Sequence, residues 1–351
     1  MRKKTKISCF FYLIIISIIF LPGVFNSSDT AFAFERYTRT SEAKVSGEGM
    51  EEFHITAPAN LAGKINMQVG EGDVCLVEFE CWARAKNLKM AKEFTELVEV
   101  YLEREAEVVT LKLYTPGGAP WEGTNYGIGV TLDIYVPPDI VVESKSSGFD
   151  MDISGPLKKV YIRNRYGDIQ LKDVSEETDI SGTYNKVEVQ DIQGNLEIET
   201  SYNLISVRDV NTKQGKAFLK TSYGKIEVED FTGQLEANTV YSPIHCSGIT
   251  LLGGPNEIKT VYSEIDLEFE EMKDCELYVS NTYGNINLWA PSDLSARLIL
   301  TVGRGGKIEI SGILIKPLAL EKTKLEGICG DGDSDIELDI KGIGKILVEG
   351  R

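Results

Sequence analysis

Residues 222–233 read Ser222-Tyr223-Gly224-Lys225-Ile226-Glu227-Val228-Glu229-Asp230-Phe231-Thr232-Gly233, and the pattern of this stretch recurs through the second half of the chain. The clearest mark of the recurrence is a tyrosine that returns after 18 or 21 residues. Its seven occurrences are Tyr166, Tyr184, Tyr202, Tyr223, Tyr241, Tyr262 and Tyr283. A fixed period of about 20 residues is typical of proteins built from stacked coils.

A short strand pattern follows each tyrosine. In the quoted unit Ile226 and Val228 are apolar and Glu227 between them is charged, and the other repeats keep this alternation. Alternation with β-branched residues on one face predicts a half-buried strand. The residue directly after the tyrosine is Gly, Asn or Ser. Because Gly and Asn tolerate a positive φ, we expect a tight corner there.

A second strand pattern precedes each tyrosine, with Ala217 and Leu219 as its inward residues in the quoted unit. Two short strands cannot bury their own apolar face, but stacked copies form a continuous core. We therefore predict an all-β fold, a parallel β-solenoid (β-helix-like) with coils of 18–21 residues. An antiparallel meander of hairpins fits the strand lengths too. It does not explain why equivalent positions carry equivalent residues in every coil.

The repeat decays in both directions along the chain. Residues 147–153 fit one unit upstream, with Met151 and Ile153 inward. Irregular terminal coils are expected, because an open end exposes strand edges that must be capped. The pairs that resemble degenerate final coils are Ile308/Ile310, Ile336/Leu338 and Ile346/Val348.

Residues 34–140 contain short alternating strand patterns without the repeat. They are predicted to form an N-terminal β cap, continuous with the solenoid at residues 141–351. Pro137-Pro138 marks the junction, and residues 88–96 have a weak helical pattern. The predicted strands of the cap are Gly63–Val69, Val74–Trp82, Leu97–Leu102, Val108–Tyr114 and Gly129–Val136.

Residues 1–33 have the pattern of a signal peptide. Basic residues at positions 2, 3, 4 and 6 precede an apolar run from Cys9 to Phe25, and Ala31-Phe32-Ala33 is a small-x-small cleavage pattern. The run is short for a bilayer crossing, and a retained N-terminal membrane anchor is the alternative. We expect an exported protein, either periplasmic or at the cell surface and extracellular.

The formal net charge of −17 limits the classes of partner. A surface this acidic repels nucleic acid and anionic lipid headgroups, so neither is expected to bind the whole chain. Membrane contact is expected only through a retained N-terminal segment. The charge is compatible with cations, neutral sugars or proteins, although a solvated solenoid face has the same composition.

Five cysteines follow the predicted signal peptide: Cys75, Cys81, Cys246, Cys275 and Cys329. Cys246 falls in an inward position of the repeat, and Cys75 and Cys81 share one face of a predicted strand. We interpret them as small core residues. Their spacing suggests neither a zinc site nor a redox motif, and a disulfide framework is not supported.

The sequence contains no recognisable catalytic constellation. It has two histidines, His54 and His245, and no nucleophile elbow, zinc-protease helix or phosphate loop. We predict no enzymatic activity, no cofactor, and no catalytic or metal-binding residues. Asp331, Asp333 and Asp335 resemble the opening of a calcium loop. The resemblance then fails, because Ile and Gly stand at positions six and twelve, where the loop has Gly and Glu.

The seven repeated tyrosines are the candidate ligand contacts. A row of aromatic rings could form a platform for sugar rings. The favoured interpretation is structural, because stacked coils place like side chains about 4.8 Å apart, where rings stack and cover a turn.

The quoted unit resembles the repeating unit of the bacterial adhesin-like β-solenoid family, a group of domains of unknown function. A polar-x-Gly-x-Ile-x-Val unit recurs in that family, and so does a lead-in similar to Val130-Thr131-Leu132-Asp133-Ile134-Tyr135-Val136-Pro137-Pro138. The resemblance covers residues 45–350 and implies an exported β-solenoid without catalytic residues. Tyrosine stands where the family more often has a small polar residue, which makes the tyrosine row a trait of this chain.

Together these features predict an exported, non-enzymatic interaction module of the cell envelope or surface, adhesin-like, with an unidentified glycan or protein partner. A polysaccharide-active enzyme is the alternative from another class, since parallel β-helices host lyases and hydrolases. A self-associating envelope scaffold is the third hypothesis.

Overall fold

The computed structural model describes residues 34–351, so the predicted signal peptide lies outside the described residues. The N-terminal elements are β1 (Glu35–Ser46), β2 (Glu52–Thr56), β3 (Gly63–Val69), β4 (Val74–Ala85), α1 (Leu88–Glu96), β5 (Glu99–Glu105), β6 (Val108–Tyr114) and β7 (Gly127–Val136). The repeats contain β8 (Val141–Tyr166), β9 (Ile169–Tyr184), β10 (Val187–Gln193), β11 (Asn195–Glu199), β12 (Ile205–Lys220), β13 (Ile226–Asn238), β14 (Ile244–Leu252), β15 (Asn256–Lys259), β16 (Ile265–Lys273), β17 (Glu276–Asn281) and β18 (Ile286–Ala290). The C-terminal strands are β19 (Ala296–Val302), β20 (Lys307–Ser311), β21 (Ile315–Leu320), β22 (Lys324–Cys329), β23 (Ser334–Ile340) and β24 (Lys345–Gly350).

The strands of the repeats form parallel ladders in which each residue lies beside its equivalent in the next coil. Ile205 pairs with Ile226, which pairs with Ile244. The same column continues through Ile265 to Ile286. The predicted parallel β-solenoid with coils of 18–21 residues is therefore confirmed. An antiparallel meander would pair these strands in opposite directions.

The core consists of apolar columns that run along the stack. In one coil the buried positions are Ile226, Val228, Phe231, Leu235 and Ala237, none more than 1% exposed. Burying a Val, Leu, Ile or Phe side chain stabilises the fold by roughly 1.5–3 kcal/mol, and every coil repeats the contribution. The inward positions predicted from the alternation are confirmed. Phe231 marks an additional inward position, shared with Val174, Ile192, Val210 and Ile249, that was not predicted from the sequence.

A left-handed corner lies directly before this additional position. Asp230 and the equivalent Asp173, Asp191 and Asp209 have φ values of 52–61°. Aspartate tolerates this conformation better than most residues, because its short polar side chain can hydrogen-bond locally. The corner turns the chain within a continuous strand, so that the residues on both sides of it point into the core.

We predicted a tight corner with a positive φ directly after each tyrosine, and this prediction is wrong for most of the coils. Among the seven described residues at that position, Gly167 and Asn203 have a positive φ, 102° and 75°. Gly224 is needed there for a different reason. A Cβ added to it would lie 1.5 Å from the carbonyl oxygen of Asn203 in the preceding coil. Gly284 meets the same limit, since an added Cβ would lie 2.0 Å from the carbonyl oxygen of Ser263 in the preceding coil.

The coils at the C-terminal end do not follow the order of the chain. The strands of the last regular repeat, β17 and β18, pair in parallel with β23 and β24. On their other side, β23 and β24 pair in parallel with β19 and β20. The final strands of the sequence are thus inserted between the seventh repeat and the coil formed by residues 296–311. The predicted degenerate coils exist. In the stack, however, the coil that contains residues 336–348 lies next to the seventh repeat, and the coil that contains residues 308–310 lies beyond it.

The N-terminal end contains the same kind of insertion. The first coil, β2 and β3, pairs in parallel with β8 on one side. On its other side it pairs in parallel with β6 and β7, which come later in the sequence. Both ends of the stack are therefore closed by a coil that the chain places out of sequential order.

Antiparallel strands and the helix cover the outermost N-terminal coil. β4 extends β7, β1 extends β4, and β5 extends β6, all antiparallel. Helix α1 packs against β1 and β4 and buries Ala91 and Phe94. Its N-cap is Asn87, whose side-chain oxygen accepts a hydrogen bond from the Met90 N–H at 2.9 Å.

The elements predicted for residues 34–140 are present, and β1 and β2 are additional strands that the sequence analysis did not identify. The strands on the two sides of residue 140 belong to the same ladders, and the domain boundary there stays a prediction. Between residues 34 and 351, no helix combines the length and the apolar character needed to span a membrane.

The five cysteines among residues 34–351 are buried, which confirms their interpretation as core residues. Burial raises the pKa of the thiols of Cys75, Cys81 and Cys246 to about 12. These thiols therefore stay protonated and unreactive at neutral pH.

The inserted C-terminal coil leads to a prediction for hydrogen exchange. Strand β23 is hydrogen-bonded on both sides, so its amides should be as protected as those of β13 in the central repeats. Strand β21 is bonded to β22 on one side and should exchange much faster. Hydrogen–deuterium exchange with mass spectrometry measures both segments in one experiment. A stack that followed the chain order would leave residues 334–350 at an edge, and rapid exchange there would contradict the insertion.

Candidate functional site

The seven repeated tyrosines form one continuous stack on the outside of the solenoid. Neighbouring ring centroids lie 4.7–5.6 Å apart, and the ring planes differ by 4–11°. The side chains are 37–56% exposed. The spacing is that of neighbouring β-strands, so the stack follows directly from the parallel register of the coils.

Backbone hydrogen bonds between coils hold the tyrosines in line. The N–H of Tyr223 donates to the carbonyl oxygen of Ser201 at 3.0 Å, and that of Tyr241 donates to Ser222 at 3.1 Å. The same bond links Tyr262 to Val240. Five tyrosines, from Tyr202 to Tyr283, are thus tied to the residue that precedes the tyrosine of the neighbouring coil.

A buried polar column lies beneath the stack, two residues before each tyrosine. Thr239 donates to the carbonyl oxygen of Gly224 at 3.2 Å, and Thr260 donates to that of Ser242 at 3.1 Å. These bonds satisfy carbonyl groups of the corner that would otherwise be buried without a partner. The column consists of Asn164, Thr200, Thr221, Thr239, Thr260 and Asn281, each 7% exposed or less.

The second of the seven coils, that of Tyr184, has Gly182 at this position, and Asn185 takes over the polar role. Its side-chain nitrogen donates to the carbonyl oxygen of Gly167 at 2.7 Å, and its side-chain oxygen accepts from the N–H of Thr183 at 3.1 Å. A Cβ at Gly182 would lie 1.8 Å from that oxygen. This polar column was not predicted from the sequence, although its Thr and Asn residues stand at a fixed distance before the tyrosine.

The stack restricts how the tyrosines can contact a ligand. Because the rings lie face to face, their faces are covered by their neighbours, and the ring edges and hydroxyl groups remain open to solvent. A sugar ring that packs on an aromatic face has access only at the two ends. Arg165 covers the face of Tyr166 at one end, with its guanidinium 5.2 Å from the ring centroid. At the other end Gly342 lies against Tyr283.

Apart from Arg165 at one end, the residues beside the tyrosines are uncharged, in contrast to the rest of the surface. We call the seven tyrosines and the residue on each side of them the tyrosine strip. From Thr183 to Gly284 the flanking residues of the strip are Thr, Ser, Val, Asn and Gly. The protein as a whole carries a net charge of −17. The strip is therefore a row of hydroxyl groups about 30 Å long, as seven rings at strand spacing require, and Arg165 at one end is its one charged residue.

Charged residues lie on the flat faces of the coils and pair across neighbouring coils. Arg208 bonds Glu229 at 2.6 Å, and Arg163 pairs with Asp179. A hydrogen bond from Lys159 lowers the pKa of Glu177. Exposed pairs of this kind contribute about 0–1 kcal/mol each, so they describe a solvated face rather than a site.

The acidic motif at Asp331, Asp333 and Asp335 forms a loop around Ser295. The Ser295 hydroxyl accepts hydrogen bonds from the N–H groups of Asp331 and Asp333 at 3.1 and 3.4 Å. It donates to the carboxylate of Asp333 at 2.7 Å. The hydroxyl organises the loop internally. Among the described residues, the three carboxylates do not form a group whose ligand atoms lie within 4.8 Å of one another.

The described residues contain one group of side chains that could hold a metal ion: His245, Glu264 and Asp266. It lies on the outward face of two neighbouring coils, and the sequence analysis did not identify it. The sequence did show His245 in an outward position and Asp266 one repeat later. Only the strand register shows that the two side chains are in contact.

Two surface depressions in the described part of the chain are small. One, of about 180 Å³, is lined by Asn66, Asp133 and Asp152. The other, of about 290 Å³, is lined by Glu268, Trp289 and Arg351, and the arginine bonds Glu268 at 2.7 Å. Pockets for small molecules usually measure about 300–1,000 Å³. The hypothesis of a polysaccharide-active enzyme receives no support from either depression.

Substitutions at Tyr223 separate the stack from the hydroxyl group. Tyr223→Ala removes two ring–ring contacts and should destabilise the protein by about 1–3 kcal/mol, since each such pair contributes about 0.5–1.5 kcal/mol. Tyr223→Phe keeps both contacts and should change the stability by less than about 0.5 kcal/mol. Urea unfolding followed by circular dichroism measures both, with Tyr114→Ala, at an exposed tyrosine outside the strip, as control. Equal losses for Ala and Phe at Tyr223 would show that the stack is not what stabilises the corner.

Solved structures that match this chain include three bacterial proteins. A candidate cell adhesion protein from Clostridium sporogenes is 11% identical, covers 90% of this chain and 100% of its own, and has a TM-score of 0.24. A candidate adhesin from Bacteroides fragilis is 12% identical, with coverages of 90% and 97% and a TM-score of 0.27. A candidate lipid binding protein from Parabacteroides distasonis is 14% identical, with coverages of 89% and 96% and a TM-score of 0.25. Likenesses at this level carry no argument about function.

No curated protein matches the sequence. The family model described as Toastrack DUF4097, a domain of unknown function, matches residues 124–297, which include all seven tyrosines of the strip. Through residues 124–297 the chain belongs to the Toastrack DUF4097 family.

Proposed function

We propose that this protein is an exported, non-enzymatic interaction module of the cell envelope or surface, adhesin-like, and that the tyrosine strip contacts its partner. The observation that carries the proposal is the uncharged row of tyrosine hydroxyls on an otherwise acidic surface. Export is supported by the signal pattern of residues 1–33. The stacked coils provide a rigid support, which lowers the entropic cost of binding.

The chemistry of the strip favours a neutral partner with many hydrogen-bonding groups, such as a neutral glycan chain. A phenol hydroxyl both donates and accepts hydrogen bonds, and the seven hydroxyls repeat at nearly equal intervals. A chain molecule lying along the strip can contact several of them at once, so that individually weak contacts add. Strongly anionic polymers are repelled by the surrounding carboxylates.

A triple substitution tests the role of the hydroxyls without disturbing the stack. The variant Tyr202→Phe/Tyr223→Phe/Tyr241→Phe should lose at least about tenfold in affinity, since each lost hydrogen bond costs about 0.5–1.5 kcal/mol. Its melting temperature should stay unchanged. The measurement is binding to isolated cell-wall preparations and to an array of neutral and acidic glycans. Tyr114→Phe, outside the strip, is the matched control.

Two results would contradict the proposal. Undiminished binding by the triple variant would show that the partner does not bind through the hydroxyl groups of the strip. Cell fractionation that located the protein in the cytoplasm would contradict export, and it would therefore also contradict a partner in the cell envelope. A screen of the same glycans for cleavage tests the alternative of a polysaccharide-active enzyme. We expect no cleavage.

Self-association is a second candidate function, favoured by the apolar C-terminal end. Leu314, Leu320 and Ile343 are 92%, 75% and 70% exposed, and Leu318 is 52% exposed. Strand β20 pairs with β24 on one side and leaves its other edge open. An open edge beside exposed apolar residues is a template for pairing with another chain.

A second copy fits this end better than a head-to-tail arrangement. At the N-terminal end α1 packs against β1 and β4, the antiparallel strands that extend the outer coil, so the two ends are not complementary. Two β20 strands can pair antiparallel about Ile308, which places Lys307 of each copy opposite Glu309 of the other. The charges then match twice across a two-fold axis, as in a closed dimer.

Sedimentation velocity over a range of concentrations tests this second function. The wild type should dimerise, and Leu318→Glu/Leu320→Glu should weaken the dimer by at least about tenfold because it buries charges in an apolar contact. Leu88→Glu is the matched control, since Leu88 is 51% exposed at the opposite end. A monomeric wild type at all concentrations would rule out the dimer.

A further inference from the structure

We propose that His245, Glu264 and Asp266 form a binding site for a divalent transition metal ion of the Zn²⁺ class. His245 in β14 and Asp266 in β16 are direct register partners in neighbouring coils. Glu264 lies two residues before Asp266 and therefore on the same outward face. One ligand atom from each of the three side chains lies within 4.8 Å of the other two.

The ligand set and its spacing suit Zn²⁺. Imidazole nitrogens and carboxylate oxygens bind Zn²⁺ at about 2.0–2.2 Å, which places the ligand atoms of a tetrahedral site about 3.3–3.6 Å apart. The Nδ1 atom of His245 and the Oδ2 atom of Asp266 are already 3.0 Å apart. Glu264 is exposed, so rotation about its side-chain bonds closes the remaining gap at little cost. The two carboxylates balance the charge of the ion.

A neighbouring residue holds Asp266 in the orientation that a ligand needs. The side-chain nitrogen of Asn287, in the next coil, donates to Oδ1 of Asp266 at 2.7 Å. This bond leaves Oδ2 directed at His245. Hydrogen bonds to the second oxygen of a carboxylate ligand fix its geometry and strengthen metal binding.

The surrounding cations do not compete for these carboxylates. On the far side of His245 its register partner Glu227 is already paired with Lys225 at 2.5 Å. Within residues 34–351, no lysine or arginine forms an ion pair with Glu264 or Asp266. Glu268, two residues after Asp266 in β16, is already paired with Arg351 at 2.7 Å. The site therefore keeps both negative charges available.

Three protein ligands leave one position of a tetrahedral ion open. That position can take water or a carboxylate or imidazole from a partner. The ion would also join two coils across the ladder, so its binding stabilises the folded chain by mass action.

Calorimetric titration of the purified chain with ZnCl₂ tests the site. We expect one equivalent to bind, and the melting temperature to rise with Zn²⁺ concentration. His245→Ala and Asp266→Asn should each weaken binding about tenfold or more and remove the thermal shift. The matched control is His54→Ala. His54 also lies beside two carboxylates, with its Nε2 atom 2.8 Å from Glu52 and 4.0 Å from Glu143, but those three side chains do not converge as a ligand group.

The proposal is overturned by any of three results. These are the absence of saturable binding, equal weakening by His54→Ala and His245→Ala, and wild-type binding by Asp266→Asn. The second result would indicate diffuse attraction to an acidic surface. Asp266→Asn keeps the size of the side chain and its contact with Asn287, so it separates lost coordination from lost folding if His245→Ala is unstable.

Discussion

The parallel, in-register pairing of neighbouring coils is the constraint on which the rest of the structure depends. It places Ile226 between Ile205 and Ile244, and it repeats that relation at every position of the coil. Like residues therefore stand above one another at strand spacing. The buried apolar columns, the polar Thr and Asn column and the tyrosine stack are three consequences of this one register. Each stabilises the same alignment, because a shift of one residue would break all three.

The register also explains how the ends are closed and what they leave open. Each end receives a coil out of chain order, so that the outermost parallel coil contacts a strand pair far away in sequence. At the N-terminus α1 and antiparallel strands then cover the core. At the C-terminus Leu314 and Leu320 remain exposed beside an open edge. The two ends thus differ in their capacity for contact, whereas the tyrosine strip along the side is uniform.

The sequence predicted those features that repeat, and it missed those that depend on which coil lies beside which. Strands β3 and β6 and helix α1 match the predicted bounds because their apolar spacing is regular. β1 was missed, since its alternating residues are polar. The spatial order of the terminal coils was missed because each has the same inward pattern and fits beside any other. His245 and Asp266 were not connected for the same reason. The polar column could have been predicted from the sequence, because a Thr or Asn stands two residues before six of the seven tyrosines.

Pulsed electron paramagnetic resonance between spin labels at Gln170 and Asn287 tests the register most directly. Both residues belong to one outward column, and six coil-to-coil steps separate them. The buried cysteines do not compete for the label. A parallel stack at about 4.8 Å per coil predicts a separation of about 29 Å. A meander in which each repeat added two strands would give about 58 Å, and a distance near that value would contradict the account.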